Sequence, residues 1–172
     1  MRYILDVDHT LLDTERFVAD VARDGRSEIL VTPSIWEYYE PRDYLFPDVF
    51  DWLRAREREQ VAILTACTPA LGPLAREFQR EKIRCACLDE FAAAVVVMEG
   101  EKGPYVHELA GGEAAVFLDD SLVHLRSARR EAPQVRCVQM HRPEYDWVER
   151  SADPEIPVVG ALAELDAMMN SS

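Results

Sequence analysis

Two aspartates, Asp6 and Asp8, end an apolar stretch close to the start of the sequence. The stretch favours a buried parallel strand, and the carboxyl ends of such strands open into the ligand crevice of an α/β sheet. Two carboxylates this close repel each other unless a cation or a shared proton offsets their charge, and Mg²⁺ is the usual cation for such oxygen ligands. The pair therefore predicts either a metal site with acid–base chemistry or an acidic turn in solvent.

Polar residues of the same kind follow other apolar stretches. Thr65 ends a second predicted strand just before a helix, where free backbone N–H groups could hold an anion. Asp119 and Asp120 follow a further buried run, and Lys102 places a positive charge within reach of the same edge of the sheet. Each residue alone has an ordinary structural explanation, but their joint occurrence in this order favours one shared site.

The elements that position these residues alternate between strands and helices along the chain, which is the pattern of a parallel α/β sheet. Strands are predicted at residues 3–7, 61–64, 83–88, 114–118 and 135–140. Helices are predicted at residues 47–59, from Pro69 onward, at 105–109, after Ser121 and at 161–169. Residues 91–101 fit either a strand or a helix.

The segment at residues 15–45 does not fit this alternation and is predicted to be a small flap or lid inserted into one domain, residues 1–172. Its first part, which contains Phe17, Val18 and Val21, favours a helix. The rest is rich in aromatic side chains, which either pack the flap against the core or form a partial lid over a ligand. These side chains are Trp36, Tyr38, Tyr39 and Tyr44.

Composition excludes several classes of protein. The net charge of −13 argues against binding to a nucleic-acid backbone. The longest uncharged apolar run, residues 91–98, is too short to span a bilayer, and the start of the chain does not read as a secretory signal. Four cysteines in or beside predicted strands indicate reduced thiols in a cytoplasmic protein; they are Cys67, Cys85, Cys87 and Cys137. Only two of the nineteen basic residues are lysines, Lys82 and Lys102, which draws attention to both.

Taken in order, these motifs resemble those of the haloacid dehalogenase-like (HAD) superfamily of phosphatases and phosphotransferases. Asp6 to Thr10 is similar to its first motif, Thr65 to its second, Lys102 to its third and the pair Asp119 and Asp120 to its fourth. The resemblance implies a three-layer α/β/α Rossmann-like fold with a central parallel sheet in the strand order 5-4-1-2-3.

The resemblance also implies a role for each residue. Asp6 is the expected nucleophile, Asp8 the general acid and base, and Thr65 and Lys102 the groups that hold the transferring phosphoryl group. Mg²⁺ is the expected cofactor, bound by Asp6, the backbone carbonyl of Asp8 and Asp120, with Asp119 acting through water. His9 lies between the two acids, where strand alternation turns it away from them, so we expect it to be structural.

The implied reaction is hydrolysis of a small-molecule phosphate monoester through an aspartyl-phosphate, because an acid at Asp8 distinguishes phosphatases from the dehalogenases of the same superfamily. Cationic groups must first neutralise the phosphate oxygens before a carboxylate can approach. A phosphotransferase or phosphomutase would use the same residues, and a weakly active phosphate-binding regulatory protein on this fold is the alternative from another class. The oligomeric state does not follow from these motifs.

Overall fold

This computed structural model describes residues 1–143 and 153–170, in which six parallel strands form one sheet. The strands are β1 (Arg2–Leu5), β2 (Val61–Ala66), β3 (Ala94–Met98), β4 (Ala115–Asp119), β5 (Val135–Met140) and β6 (Val158–Val159). Their order across the sheet is β3-β2-β1-β4-β5-β6. The central strand β1 pairs with β2 on one side and β4 on the other. The order expected from the HAD resemblance is therefore confirmed, with one short strand added at the edge.

Helices cover both faces of the sheet because successive side chains of each strand point to opposite faces. They are α1 (Thr14–Arg23), α2 (Val49–Arg54), α3 (Ala75–Cys85), α4 (Gly103–Ala110), α5 (Leu122–Glu131) and α6 (Leu162–Asn170). Ile4 and Phe117 face a hydrophobic cluster that includes residues of α4 and α5. Leu5 and Leu118 face a second cluster, to which α2, α3, α6 and the insert contribute. The three layers are those predicted for the fold class.

The predicted strand at residues 83–88 is wrong. Those residues are the end of α3 and the start of a 3-10 helix at Leu88–Phe91, and the strand lies further on, at Ala94–Met98. Ala75, Phe78 and Ile83 are buried at helical spacing, which the short alternation after Ile83 obscured. The true strand is at the sheet edge and is only partly buried, so its run of valines gave no clear alternation.

Two predicted helices are shorter than expected. The helix predicted at residues 47–59 is α2 followed by a 3-10 helix at Arg58–Gln60, and the helix predicted from Pro69 begins as a 3-10 helix at Pro69–Leu71 before α3. All four cysteines are free thiols, and Cys85 and Cys87 lie at the end of α3 rather than in a strand. Within the described part of the chain, no helix is both long and apolar enough to cross a membrane.

The insert consists of α1 and three 3-10 helices at Ser27–Ile29, Pro33–Glu37 and Pro41–Tyr44. Its buried residues Phe17, Val21 and Ile35 belong to the same hydrophobic cluster as the sheet. Asp13 caps α1 by accepting a hydrogen bond from the Arg16 N–H, which fixes where the helix leaves the first motif. The insert therefore packs as a cover on one face of the sheet, beside the carboxyl end of β1.

Candidate functional site

Three carboxylates converge at the carboxyl ends of the two central strands. Asp6 directly follows β1, Asp119 ends β4 and Asp120 follows it. Because β1 and β4 are parallel neighbours in register, with Leu5 opposite Leu118, their carboxyl ends meet at the same edge of the sheet. One carboxylate oxygen from each of the three residues lies within 4.8 Å of the other two.

Lys102 lies among these acids and is only 1 % exposed. Its Nζ donates a hydrogen bond to Asp6 Oδ1 and another, of 2.7 Å, to Asp119 Oδ2. Lys102 directly precedes α4, and the first residue of that helix, Gly103, lies against α5: a Cβ at Gly103 would be 2.5 Å from the backbone oxygen of Ser127. Only glycine allows this close approach, which holds Lys102 over the acids.

The acids outnumber the lysine, and their pKa values reflect it. Burial raises the pKa of Asp6 to about 6, although Lys102 opposes the shift. Burial and the charges of Asp6 and Asp119 raise the pKa of Asp120 to about 8. Burial alone would lower the pKa of Lys102, but Asp119 and Asp6 outweigh it and raise that pKa above its usual value. The cluster therefore holds excess negative charge that protons or a cation must offset.

A divalent cation with oxygen ligands fits this cluster. Hard cations such as Mg²⁺ prefer carboxylate, carbonyl and water oxygens, and bind through a few carboxylates rather than a complete protein cage. Asp6, Asp119 and Asp120 supply such oxygens on one side, and the carboxylates' own repulsion favours a cation between them. The side chain of Asp8, the fourth residue predicted to bind the metal, instead accepts hydrogen bonds from other side chains.

Asp8 accepts hydrogen bonds from three side chains. Lys82 Nζ lies 2.6 and 2.7 Å from its two oxygens, Thr14 Oγ1 lies 2.7 Å from Oδ1, and Gln79 Nε2 lies 2.9 Å from Oδ2. Burial would raise the pKa of Asp8, but Lys82 and the other donors outweigh it and hold that pKa well below its usual range. The carboxylate is thus ionised and fixed in one orientation.

Lys82, Gln79 and Thr14 were not among the predicted site residues. Lys82 and Gln79 are three residues apart on α3 and therefore share a face of the helix, but nothing in the sequence relates that face to Asp8. One signal was present: Lys82 is one of only two lysines in the chain, and the structure places both beside catalytic-type carboxylates.

Thr65 lies in β2, at 1 % exposure, and its hydroxyl has no hydrogen-bond partner in the described part of the chain. A buried hydroxyl without a partner costs free energy, so an orphaned one at a strand end is a marker for a missing ligand. β2 is the neighbour of β1, so Thr65 lies at the edge of the sheet that carries Asp6. A bound anion would satisfy this hydroxyl.

The loop after Asp8 is held tightly. His9 has a φ of 59°, a left-handed conformation uncommon for a residue with a side chain, and the N–H groups of Thr10, Leu11 and Leu12 all donate to the Val7 carbonyl. Arg142, two residues after β5, is buried and donates two hydrogen bonds, of 3.0 and 2.8 Å, to the Thr10 carbonyl. This turn and its clamp fix the direction in which Asp6 and Asp8 leave the strand.

Comparison with solved structures shows that the chain shares its fold with known proteins. The chain is similar to the HAD-hydrolase YfnB from Bacillus subtilis bound to magnesium, with a TM-score of 0.61 and 17 % identity over 98 % of both chains. It is similar to a haloacid dehalogenase-like family hydrolase from Xanthomonas campestris, with a TM-score of 0.63 and 16 % identity over 99 % of this chain and 95 % of that one. It is also similar to the UTR4 protein of Saccharomyces cerevisiae, with a TM-score of 0.58 and 10 % identity over 95 % of this chain and 98 % of that one. No family model and no curated sequence matches.

Proposed function

We propose that this chain, whose fold is that of the HAD-like hydrolases, is a Mg²⁺-dependent phosphatase acting on a phosphate monoester through an aspartyl-phosphate. The observation that carries the proposal is the convergence of Asp6, Asp119 and Asp120 within 4.8 Å, with Lys102 bonded to two of them. All the side chains that such a reaction needs are present together, which supports an enzyme over a phosphate-binding regulatory protein.

Lys102 and Thr65 bind the phosphoryl group in this proposal. The ammonium group of Lys102 supplies charge, and the orphaned hydroxyl of Thr65 supplies a donor at the neighbouring strand end. Mg²⁺, when held by Asp6, Asp119, Asp120 and the backbone carbonyl of Asp8, supplies further neutralisation of the phosphate oxygens. The phosphoryl charge must be offset in this way because an anionic nucleophile is otherwise repelled.

Asp6 is the nucleophile. One of its carboxylate oxygens forms a bond to phosphorus while the bond from phosphorus to the alcohol oxygen breaks, which leaves an aspartyl-phosphate and an alcohol. Water then attacks the phosphorus, releases inorganic phosphate and restores Asp6. Lys102 holds Asp6 through Oδ1, so the carboxylate is oriented before the substrate arrives.

Asp8 handles the protons of the two steps. To protonate the leaving alcohol oxygen in the first step, Asp8 must first take up a proton from the solvent; the carboxylate left after that transfer then takes a proton from water in the second step. Lys82, Gln79 and Thr14 stabilise its ionised form, which suits the second role. The first role is less demanding when the leaving group is itself a stable anion, so we expect activated esters to react fastest.

Replacing Asp8 tests the covalent step directly. We expect Asp8→Asn to accumulate the aspartyl-phosphate on an activated aryl phosphate, because breakdown of the intermediate loses its base while formation needs little protonation. Rapid acid quenching followed by mass spectrometry should place the phosphate on the tryptic peptide of residues 3–16, at Asp6.

Asp13→Asn is the matched control, because Asp13 lies in the same peptide but its side chain caps α1 and has no role in the chemistry we propose. It should turn over without accumulating the intermediate. Phosphate found on a peptide that lacks Asp6, or no phosphopeptide during a steady turnover by Asp8→Asn, would contradict the assignment.

Mg²⁺ and protons should compete for the acidic cluster. Because folding raises the pKa of Asp6 to about 6 and that of Asp120 to about 8, the folded protein binds more protons than the unfolded chain across this range. The metal-free protein should therefore lose stability as the pH rises from about 4 to about 8. Mg²⁺ must displace those protons, so it should bind at least about ten-fold more weakly at about pH 6 than at about pH 8.

Thermal unfolding at several Mg²⁺ concentrations measures this competition. We expect millimolar Mg²⁺ to raise the Tm by several degrees at about pH 8 and by clearly less at about pH 6. Asp120→Asn removes one acid and should reduce both the shift and its pH dependence. An identical Tm with and without Mg²⁺ at about pH 8 would count against the metal site.

A further inference from the structure

A cavity of about 330 Å³ opens beside Asp8. Of the residues that we propose for phosphoryl transfer, only Asp8 lines it, so the cavity lies next to the reacting centre rather than over it. One wall comes from the insert, through Phe17, Val18, Leu30 and Val31; the facing wall comes from the segment after β2 and from α3 and includes Leu71, Ala75 and Phe78. The alcohol part of a phosphate ester bound at Asp6 would extend into this space.

The walls are predominantly apolar, and their polar residues are Asp8, His9, Thr14, Thr68, Gln79 and Lys82. Lys82 is the single lysine or arginine among the lining residues, and both oxygens of Asp8 already bind its ammonium group. A second phosphate or a carboxylate on the substrate would therefore find no free lysine or arginine in the lining. A sugar with several hydroxyls would lose its hydration against the apolar side chains and gain few hydrogen bonds in return, so its binding is unfavourable.

Gln79 is a polar residue of the lining with one buried atom that accepts no hydrogen bond. Gln79 is 8 % exposed, and its Nε2 donates to Asp8 Oδ2 and to the Ala66 carbonyl, 2.9 and 3.2 Å away. Both partners are acceptors, so the amide nitrogen must face them and Oε1 must be the free end. Gln79 Oε1 is itself buried without a hydrogen bond, so it would accept a hydrogen bond from a ligand hydroxyl only after a movement of the cavity wall exposes it.

We infer that the substrate is the phosphate monoester of an apolar, aromatic alcohol about two fused rings in size, with no second anionic group. The inference rests on the proposed function and narrows its substrate. Size supports it: a dry apolar cavity of about 150 Å³ holds benzene, and this one is about twice that volume. Predominantly apolar walls with a few polar groups are the usual composition of a site for such a ligand.

The aromatic residues of the insert support the cavity from behind. Trp36 stacks between Phe17 and Phe78, with ring centroids 4.8 and 4.9 Å away, and its Nε1 donates to the Phe78 carbonyl. The Tyr39 and Tyr44 hydroxyls donate to Asp24 and Asp20. None of these three residues lines the cavity, so they fix its walls while Leu30 and Val31 contact the ligand.

The test compares two monoesters, β-naphthyl phosphate and β-glycerol phosphate, in the full chain with Mg²⁺. We expect kcat/KM to favour the naphthyl ester by roughly a hundred-fold or more, and Val31→Ser to reduce that ratio about ten-fold, because it places a hydroxyl against the apolar ligand. Ile29→Ser is the matched control: Ile29 is equally half-buried in the same segment but does not line the cavity. It should leave the ratio within about two-fold.

Because leaving-group activation also favours the naphthyl ester, binding is measured separately. Calorimetric titration with β-naphthol should show one site, weakened about ten-fold by Val31→Ser and unchanged by Ile29→Ser, and glycerol should not bind. If neither ester is hydrolysed, the proposed phosphatase function is wrong. Binding of β-naphthol then still tests whether the cavity accepts an apolar aromatic alcohol. An equal preference for the two esters, or no binding of β-naphthol to the unmodified protein, would overturn the inference.

Discussion

Asp6→Asn is expected to lower kcat for an aryl phosphate by roughly 10³-fold or more, because an amide oxygen cannot replace the carboxylate as a nucleophile. The same change removes one of the three oxygens that converge with Asp119 and Asp120, so the response of the Tm to Mg²⁺ should fall as well. Initial rates at saturating substrate and thermal unfolding with and without Mg²⁺ are the two measurements.

Stability separates this loss from misfolding. Asparagine has the shape of aspartate but no charge, and burial makes the charge of Asp6 costly. The metal-free Asp6→Asn variant should therefore have a Tm at least equal to that of the unmodified protein while being inactive. A variant that unfolds normally and keeps most of its activity would show that Asp6 is not the nucleophile.

Lys102→Met is expected to be inactive and also unstable. Removing one partner of a buried ion pair leaves an uncompensated charge, at a typical cost of about 3 to 5 kcal/mol. Here the charge left behind is on Asp6 and Asp119, which both bond to the ammonium group. Loss of one donor aimed at the developing phosphoryl charge adds a fall in kcat of roughly 10²- to 10³-fold.

Mg²⁺ distinguishes the two effects of Lys102→Met. Added Mg²⁺ should restore part of the lost Tm, because it offsets the same carboxylates, but should not restore turnover. Lys82→Met is the matched comparison, since Lys82 is equally buried but binds Asp8. The Tm that Lys82→Met loses relative to the unmodified protein should be the same with and without Mg²⁺. If Mg²⁺ reduced this loss equally in both variants, the two lysines would not serve separate clusters.

Much of the site could be predicted because it lies at strand ends. The short stretches before Asp6, Thr65 and Asp119 are continuous apolar runs, so their strands were recognisable and the meeting of their ends followed from parallel topology. The boundary of α4 was equally clear, because Gly111 ends it in a left-handed conformation that glycine adopts readily. These elements carry every predicted residue of the acidic cluster.

The second group around Asp8 could not be predicted in the same way. Its donors Thr14, Gln79 and Lys82 come from two helices, and a helix shows which residues share a face only when its limits are known. Gln79 and Lys82 lay within the predicted helix, but which face of that helix turns toward Asp8 depends on packing that the sequence does not show. The 3-10 helices of the insert were also missed, since elements of three to five residues leave no measurable periodicity.

Helix α3 has two functions at once, and this limits how the protein can diverge. Ala75 and Phe78 form part of the cavity wall, and Gln79 and Lys82, within the next turn, hold Asp8. A substitution that reshapes the wall from this side also moves the hydrogen-bond donors to Asp8, the proposed general acid and base. Adaptation to a new leaving group is therefore easiest at Leu30 and Val31, which belong to the insert, so homologues should vary there while α3 is retained.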